Sequence, residues 1–488
     1  MKYLTLLMPV LLLACSPGTE VKKMDMPNDY TEKHRPQYHF TPPTQWMNDP
    51  NGMVYYAGEY HLFYQYYPDS NVWGPMHWGH AVSSDMIRWD HLPIALYPDS
   101  LGLIFSGSAV IDWNNTSGFG EVGSPPMVAI FTHHLMKGEK EGRDDFQYQS
   151  IAYSLDKGRT WTKYEGNPVV TNPGIRDFRD PKVIWHEETE KWVMVFSARD
   201  RIKFYTSPDL KEWEFVSDFG PDQGSPGRPW ECPDLFPMIA DDGTKKWVLI
   251  VSVQSDAPNK GTGTSYFVGD FDGMNFTNDD PPAHINWLDY GTDNYAFVTW
   301  SDVPEEDGRR MGIGWMSNWL YAQIVPTQAW RSAMTLPRKL ELARTDAGYR
   351  LLSPPVEELE MYVSDRREVG DSLFVIEAQL EGSFEIRVSN DINETVIIRA
   401  DSEQLSVDRS NAGLKDFYDG FGAVHRAPLN GIVPQSIRVF VDASSVEVFM
   451  NDGALVMTEL VFPNKPYTEV KVSGALSDTI RSIDSIWK

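Results

Sequence analysis

From about Tyr38 to Trp330 the chain alternates short apolar and aromatic runs with clusters of Gly, Asp, Asn and Pro. No stretch keeps a helical period, so the pattern predicts an all-β region. One phrase recurs in it: Ser84-Asp85-Met86-Ile87-Arg88-Trp89, Ser154-Leu155-Asp156-Lys157-Gly158-Arg159-Thr160-Trp161, Ser207-Pro208-Asp209-Leu210-Lys211-Glu212-Trp213 and Phe271-Asp272-Gly273-Met274-Asn275-Phe276. Each reads as an Asp-initiated turn closed by an aromatic ring. The aspartates lie 71, 53 and 63 residues apart, slightly more than one four-stranded propeller blade usually takes. Roughly 290 residues therefore hold about five blades.

A second phrase opens the strand pairs: Asn48-Asp49-Pro50-Asn51-Gly52, Arg179-Asp180-Pro181 and Glu231-Cys232-Pro233-Asp234. A hairpin follows each, turning at Gly58-Glu59, near Glu188 and at Asp242-Gly243. Equivalent positions of successive blades share one radius, so acids at the start of innermost strands converge on the axis although far apart in sequence. Past Trp330 the texture becomes strict alternation, as in Phe384-Glu385-Ile386-Arg387-Val388 and Arg438-Val439-Phe440-Val441-Asp442. That is the signature of half-buried antiparallel strands, here a β-sandwich. The expected plan is a propeller over 35–335, a linker over 336–355 and a sandwich over 356–488.

The one long apolar run, about Tyr3 to Ala14, is too short to span a bilayer and reads as a signal peptide over 1–14. Leu12-Leu13-Ala14-Cys15 resembles a bacterial lipobox, which would make Cys15 the lipidated N-terminus. An ordinary cleaved leader is the alternative, and both imply export to the cell surface, outer membrane or periplasm. Residues 15–34 lack an apolar period and read as a flexible tether. Cys15 and Cys232 are the only cysteines, which leaves no disulfide framework. With 43 basic and 69 acidic residues, the net charge of −26 argues against a nucleic-acid partner, and the only membrane contact expected is the lipid anchor.

Three converging acids suit glycosidic cleavage, which takes one carboxylate to attack the anomeric carbon and a protonated carboxyl group for the leaving oxygen. Arg179, adjacent to Asp180, is expected to hold that acid ionised. Asp85, Asp156, Asp209 and Asp272 read as turn formers, and His77 and His80 lack a third ligand, so neither a metal nor a cofactor is expected.

Together, Trp46-Met47-Asn48-Asp49-Pro50-Asn51-Gly52, Arg179-Asp180-Pro181 and Glu231-Cys232-Pro233 resemble the three signatures of the β-fructofuranosidases, glycoside hydrolase family 32. Phe63-Tyr64-Gln65, Trp73-Gly74-Pro75-Met76-His77-Trp78-Gly79-His80 and Phe105-Ser106-Gly107-Ser108 agree with it. The resemblance spans about residues 35–480. It implies a five-bladed β-propeller followed by a C-terminal β-sandwich, with Asp49 as nucleophile, Glu231 as acid/base and Asp180 as transition-state stabiliser. It further implies fructose binding by Asn48, Gln65, Trp73, Phe105, Ser106 and Arg179, with Trp46 and Trp315 facing the sugar ring and Asp293 as a further acid. Cys232, next to the acid, either tunes it as a weak hydrogen-bonding neighbour or is a buried, inert thiol. The implied activity is retaining exo-β-fructosidase action on fructans and sucrose, with Asp49 and Glu231 roughly 5 to 5.5 Å apart. Rivals are an inverting five-bladed arabinan or xylan hydrolase, a sialidase suggested by the turn at Asp156, and a non-catalytic fructan-binding lipoprotein.

Overall fold

The computed structural model describes residues 30–121, 123–365, 367 and 370–487. The leader, Cys15 and most of the tether lie outside the described residues. Five antiparallel sheets of four principal strands stand around one axis. Their innermost strands are Gln45–Tyr56, Leu103–Ile111, Phe178–His186, Trp230–Ile239 and Tyr295–Thr299, and each touches the next around the ring. The ring closes without a covalent link: Trp330–Arg331, from the end of the fifth blade, pairs in parallel with Gln45 and Trp46 of the first.

Blade packing follows from side-chain chemistry. Each sheet buries both faces, so its strands carry continuous apolar runs, and neighbouring blades share a core. Val193, Phe204, Leu249 and Phe267 meet between blades three and four, and Ile130, Ile151, Val183 and Phe196 between two and three. The recurring Asp phrase is the turn between the third and fourth strands. Asp85 accepts from the backbone N–H of Ile87 and Arg88, Asp209 from Lys211 and Glu212, Asp272 from Met274 and Asn275, and Asp156 from Thr160. Trp89, Trp161 and Trp213 each donate their indole N–H to the carbonyl three residues back, which closes the turn.

Two boundaries differ from the sequence expectation. Residues 336–355, expected as a linker, contain strands Arg338–Thr345 and Gly348–Leu352, the outer hairpin of the fifth blade. Arg338–Thr345 alternates buried and half-exposed positions, and Leu340 and Leu342 point with Leu351 into one interblade core. The tether also ends early. Tyr30 stacks on Trp487 at 4.0 Å, and Arg35 is anchored by Glu32, Thr41 and Pro42.

The C-terminal domain is an eight-stranded sheet folded on itself about Phe374–Ser389, whose first half pairs with Ser436–Val441 and second half with Thr395–Ala400. Ile376, Val439 and Val448 face Ile386, Ile398 and Val407 in one core. Ser445–Met450 and Leu455–Leu460 are buried on both faces rather than half-buried, because their outer side packs on the propeller.

That seam is lined with charge. Arg338 reaches Asp289, Glu447 and Thr458, and His39 lies between Asp442 and Glu447. Arg409 from the sandwich pairs with Asp293 at 2.7 Å and Glu459 at 3.1 Å. A buried ion retains its charge only when opposite charges and donors surround it, so these groups fix how the domains mate.

Candidate active site

Each innermost strand carries an irregularity at the same level, at Met47/Pro50, Ile104/Gly107, the Arg179–Lys182 step, Glu231/Asp234 and Tyr295/Val298. An extra residue on one strand breaks the in-out alternation and re-aims the side chains there. Asp180, Cys232 and Ala296 adopt positive φ (66°, 45° and 52°) at matching places in blades three, four and five. Thus one level of the barrel turns Asp49, Ser106, Asp180, Glu231 and Tyr295, one from each blade, toward a single place.

Asp49, Asp180 and Glu231 line a cavity of about 460 Å³ with Asn48, Gln65, Trp73, Phe105, Ser106 and Arg179. Asp49 Oδ2 accepts from Ser106 Oγ at 2.8 Å, while its Oδ1 is buried without a partner. The Cys232 thiol lies 3.6 Å from Asp49 and 3.7 Å from Asp180, joining those two rather than Glu231, and its backbone N–H donates to Asp180. Burial, reinforced by the charge of Glu231, raises the pKa of Asp49. Asp180 is raised as well, by burial first, with Arg179 opposing and Glu231 and Asp49 adding to it. The thiol of Cys232 is pushed up by burial and by all three acids.

Arg179 departs from expectation. Its guanidinium grips Glu231 Oε1 through Nε at 3.0 Å and Nη2 at 2.7 Å and lies 3.8 Å from Asp180. The bulge and the positive φ of Asp180 bring both side chains into the cavity, and there Arg179 makes its short contacts with the acid of the next blade and only a longer one with its chain neighbour. On its other side it reaches Asp177 and Gln147.

Three further expectations are revised. Asp293 is fully buried at the domain seam, bound to Arg409, Tyr321 and the Leu460 N–H, and is not a pocket residue. Trp46 and Trp315 are also fully buried, behind the wall. The indole presented to the cavity beside Trp73 is Trp319, which packs on both buried rings at 5.9 and 4.8 Å. The sequence reading missed Tyr295, whose phenol donates to Glu231 Oε2. Its signal was blade register: Tyr295-Ala296 occupies the place of Glu231-Cys232 and Arg179-Asp180. His134, stacked on Phe105 at 4.2 Å, and Gln254 were missed too, and neither belongs to a repeated phrase.

Residues 39–355 match the profile described as Glycosyl hydrolases family 32 N-terminal domain, and residues 358–486 match Glycosyl hydrolases family 32 C terminal. The chain belongs to glycosyl hydrolase family 32. Among its relatives in family 32, a levanase of Bacillus subtilis (strain 168) is 49% identical, the match covering 94% of this chain and 72% of the levanase. An extracellular exo-inulinase of Aspergillus awamori is 37% identical, over 94% of this chain and 96% of its own. The crystal structure of exo-inulinase from Aspergillus awamori superposes with a TM-score of 0.85 at 36% identity, over 94% of this family 32 chain and all of that one.

Proposed function

We propose that this family 32 protein is a retaining exo-β-fructosidase that removes terminal β-D-fructofuranosyl units from fructans and sucrose. The observation that carries this reading is the meeting of Asp49, Asp180 and Glu231, from three different blades, in the wall of one pocket. Names of relatives supply the substrate class: levanase and exo-inulinase act on fructans by their descriptions.

Asp49 Oδ1, the oxygen with no hydrogen bond, attacks the anomeric carbon as Glu231 gives its proton to the leaving oxygen and the glycosidic bond breaks. Asp180 accepts from ring hydroxyls, and these bonds strengthen as the ring flattens toward the oxocarbenium ion. Water then loses a proton to Glu231 and attacks the same carbon, which releases Asp49 and restores the configuration. Three buried carboxyl groups beside one guanidinium repel each other enough to keep a proton among them, as general-acid chemistry requires. Tyr295 and Arg179 hold Glu231 still for both proton transfers.

Exo action is supported by the closed floor. Beneath Asp180 and Cys232 lies a space of only about 10 Å³, walled by Pro50, Pro181 and Pro233, so a chain enters by its end and does not thread through. Fructose as the only early product from inulin and levan, and its loss by several orders of magnitude in Asp49→Asn, is the expected result. Early oligosaccharides would overturn the exo assignment, and equal fructose release by the variant would leave a binding protein. Export and lipidation at Cys15 complete the proposal. They rest on the leader pattern, with the extracellular description of the exo-inulinase favouring export. Mass analysis of the mature N-terminus tests the lipid.

A further inference from the structure

The five innermost strands end, on the propeller face opposite the acids, at a second and larger cavity of about 710 Å³. Asp49 and Tyr55 belong to one strand, as do Asp180 and His186, so about six residues at roughly 3.3 Å each set the cavities some 20 Å apart. Lys182 closes the axis between them through Thr299 O at 2.7 Å and Asp234 at 3.2 Å. No substrate passes through, and the rear cavity is a site in its own right.

Trp113 stands at its edge, 60% exposed, yet the ring is not loose: its indole N–H donates to Asp302 Oδ1 at 2.8 Å, and Tyr56 packs edge-on at 5.8 Å. Asp302 in turn accepts from the Ile111 N–H at 2.9 Å through its other oxygen, so it braces the indole against the strand. Ser301 is 8% exposed, lines the cavity, and its Oγ has no hydrogen-bond partner. Arg310 lies over Phe236 and donates to the Trp300 carbonyl, with no ion pair among the described residues. A pre-set indole face beside unspent hydroxyl and guanidinium groups is what a sugar ring needs, one apolar face and several hydroxyls. Charge narrows the class further. Glu187, Glu188, Asp302 and Glu305 outnumber Lys245 and Arg310 in the lining, and the chain carries −26 overall, so an anion is disfavoured, while the half-buried Arg310 disfavours a cation beside it.

We infer that the rear cavity is a non-catalytic binding site for a neutral oligosaccharide, which stacks on Trp113 and hydrogen-bonds Ser301 and Arg310. It stands independently of the hydrolytic reading. The full chain carrying Asp49→Asn is titrated calorimetrically with β-2,1 and β-2,6 fructo-oligosaccharides and, as separate arms, with malto- and cello-oligosaccharides. A Trp113-dependent site in any arm supports the proposal, and the arm in which it shows tells whether the sugar is the fructan itself or a different neutral glycan. Adding Trp113→Ala should weaken that site at least about tenfold and leave the catalytic pocket filled. With Asp49 intact, Trp113→Ala should hydrolyse sucrose at the parent rate, which also shows that the variant folds. Titration curves unaltered by Trp113→Ala in every arm overturn the inference. A parent inactive on sucrose would instead refute the proposed activity and leave the rear site standing.

Discussion

Raising the pH should loosen the seam between propeller and sandwich through one histidine. His39 Nδ1 lies 2.7 Å from Asp442 and its Nε2 2.8 Å from Glu447, with all three side chains shut off from solvent. Burial alone would discharge the ring, but a carboxylate on each nitrogen outweighs it and lifts the pKa to about 9. Against an unfolded value of about 6.5 the gap is about 2.5 units, or on the order of 3 kcal/mol at 1.36 kcal/mol per unit. Because the folded value is the higher, this stabilisation is complete below about pH 6.5 and disappears as pH rises through about 9. At about 1 °C per kcal/mol for a chain of 488 residues, the wild-type unfolding midpoint should fall by roughly 3 °C over that interval beyond any fall in His39→Gln. The variant, which keeps hydrogen-bonding groups but no charge, should start lower and run flatter, so that the two curves converge at alkaline pH. Curves that stay parallel from pH 6 to 10 would refute the assignment of this charge to His39.

Tyr295→Phe removes the phenol donor to Glu231, and leaving a buried acceptor without its partner costs about 1 to 3 kcal/mol. Its kcat/KM on sucrose should therefore fall roughly ten- to hundredfold with little change in unfolding midpoint, and an unaltered value would remove Tyr295 from the catalytic group. Asp293→Asn breaks one arm of the Arg409 cluster and should cost about 3 kcal/mol of stability or more, with KM for sucrose unchanged in the folded enzyme. A raised KM at unchanged stability would return Asp293 to the sugar site. Trp319→Ala strips one of two indoles from the pocket wall and should raise KM by roughly tenfold, about 1.4 kcal/mol, while Trp315→Ala should chiefly destabilise the wall behind it.

The propeller was readable from sequence because its local signals repeat. Each Asp turn satisfies its own backbone N–H groups within a few residues, and so Asp85, Asp156, Asp209 and Asp272 mark the blades without tertiary context. The acid triad was readable for the same reason: the start of an innermost strand is one radius in every blade. What could not be read was direction across blades. Arg179 looks tied to Asp180 along the chain, yet the strand geometry sends its guanidinium to Glu231 in the next sheet. Asp293 carries the residue type of a sugar ligand, but its partner Arg409 is 116 residues away in a domain whose docking has no local signature. Trp315 and Trp319 are alike in composition, and only the chain turn after Met316 decides which ring meets the cavity.

The central claim is that Asp49 becomes covalently bonded to the sugar while Glu231 handles the proton. A fructosyl donor with a leaving group that needs no protonation, given to a Glu231→Gln variant, should load the enzyme faster than water can clear it. Peptide mass mapping after rapid acid quench should find one fructosyl unit on the peptide bearing Asp49. No adduct, or an adduct on Asp180, would contradict the account.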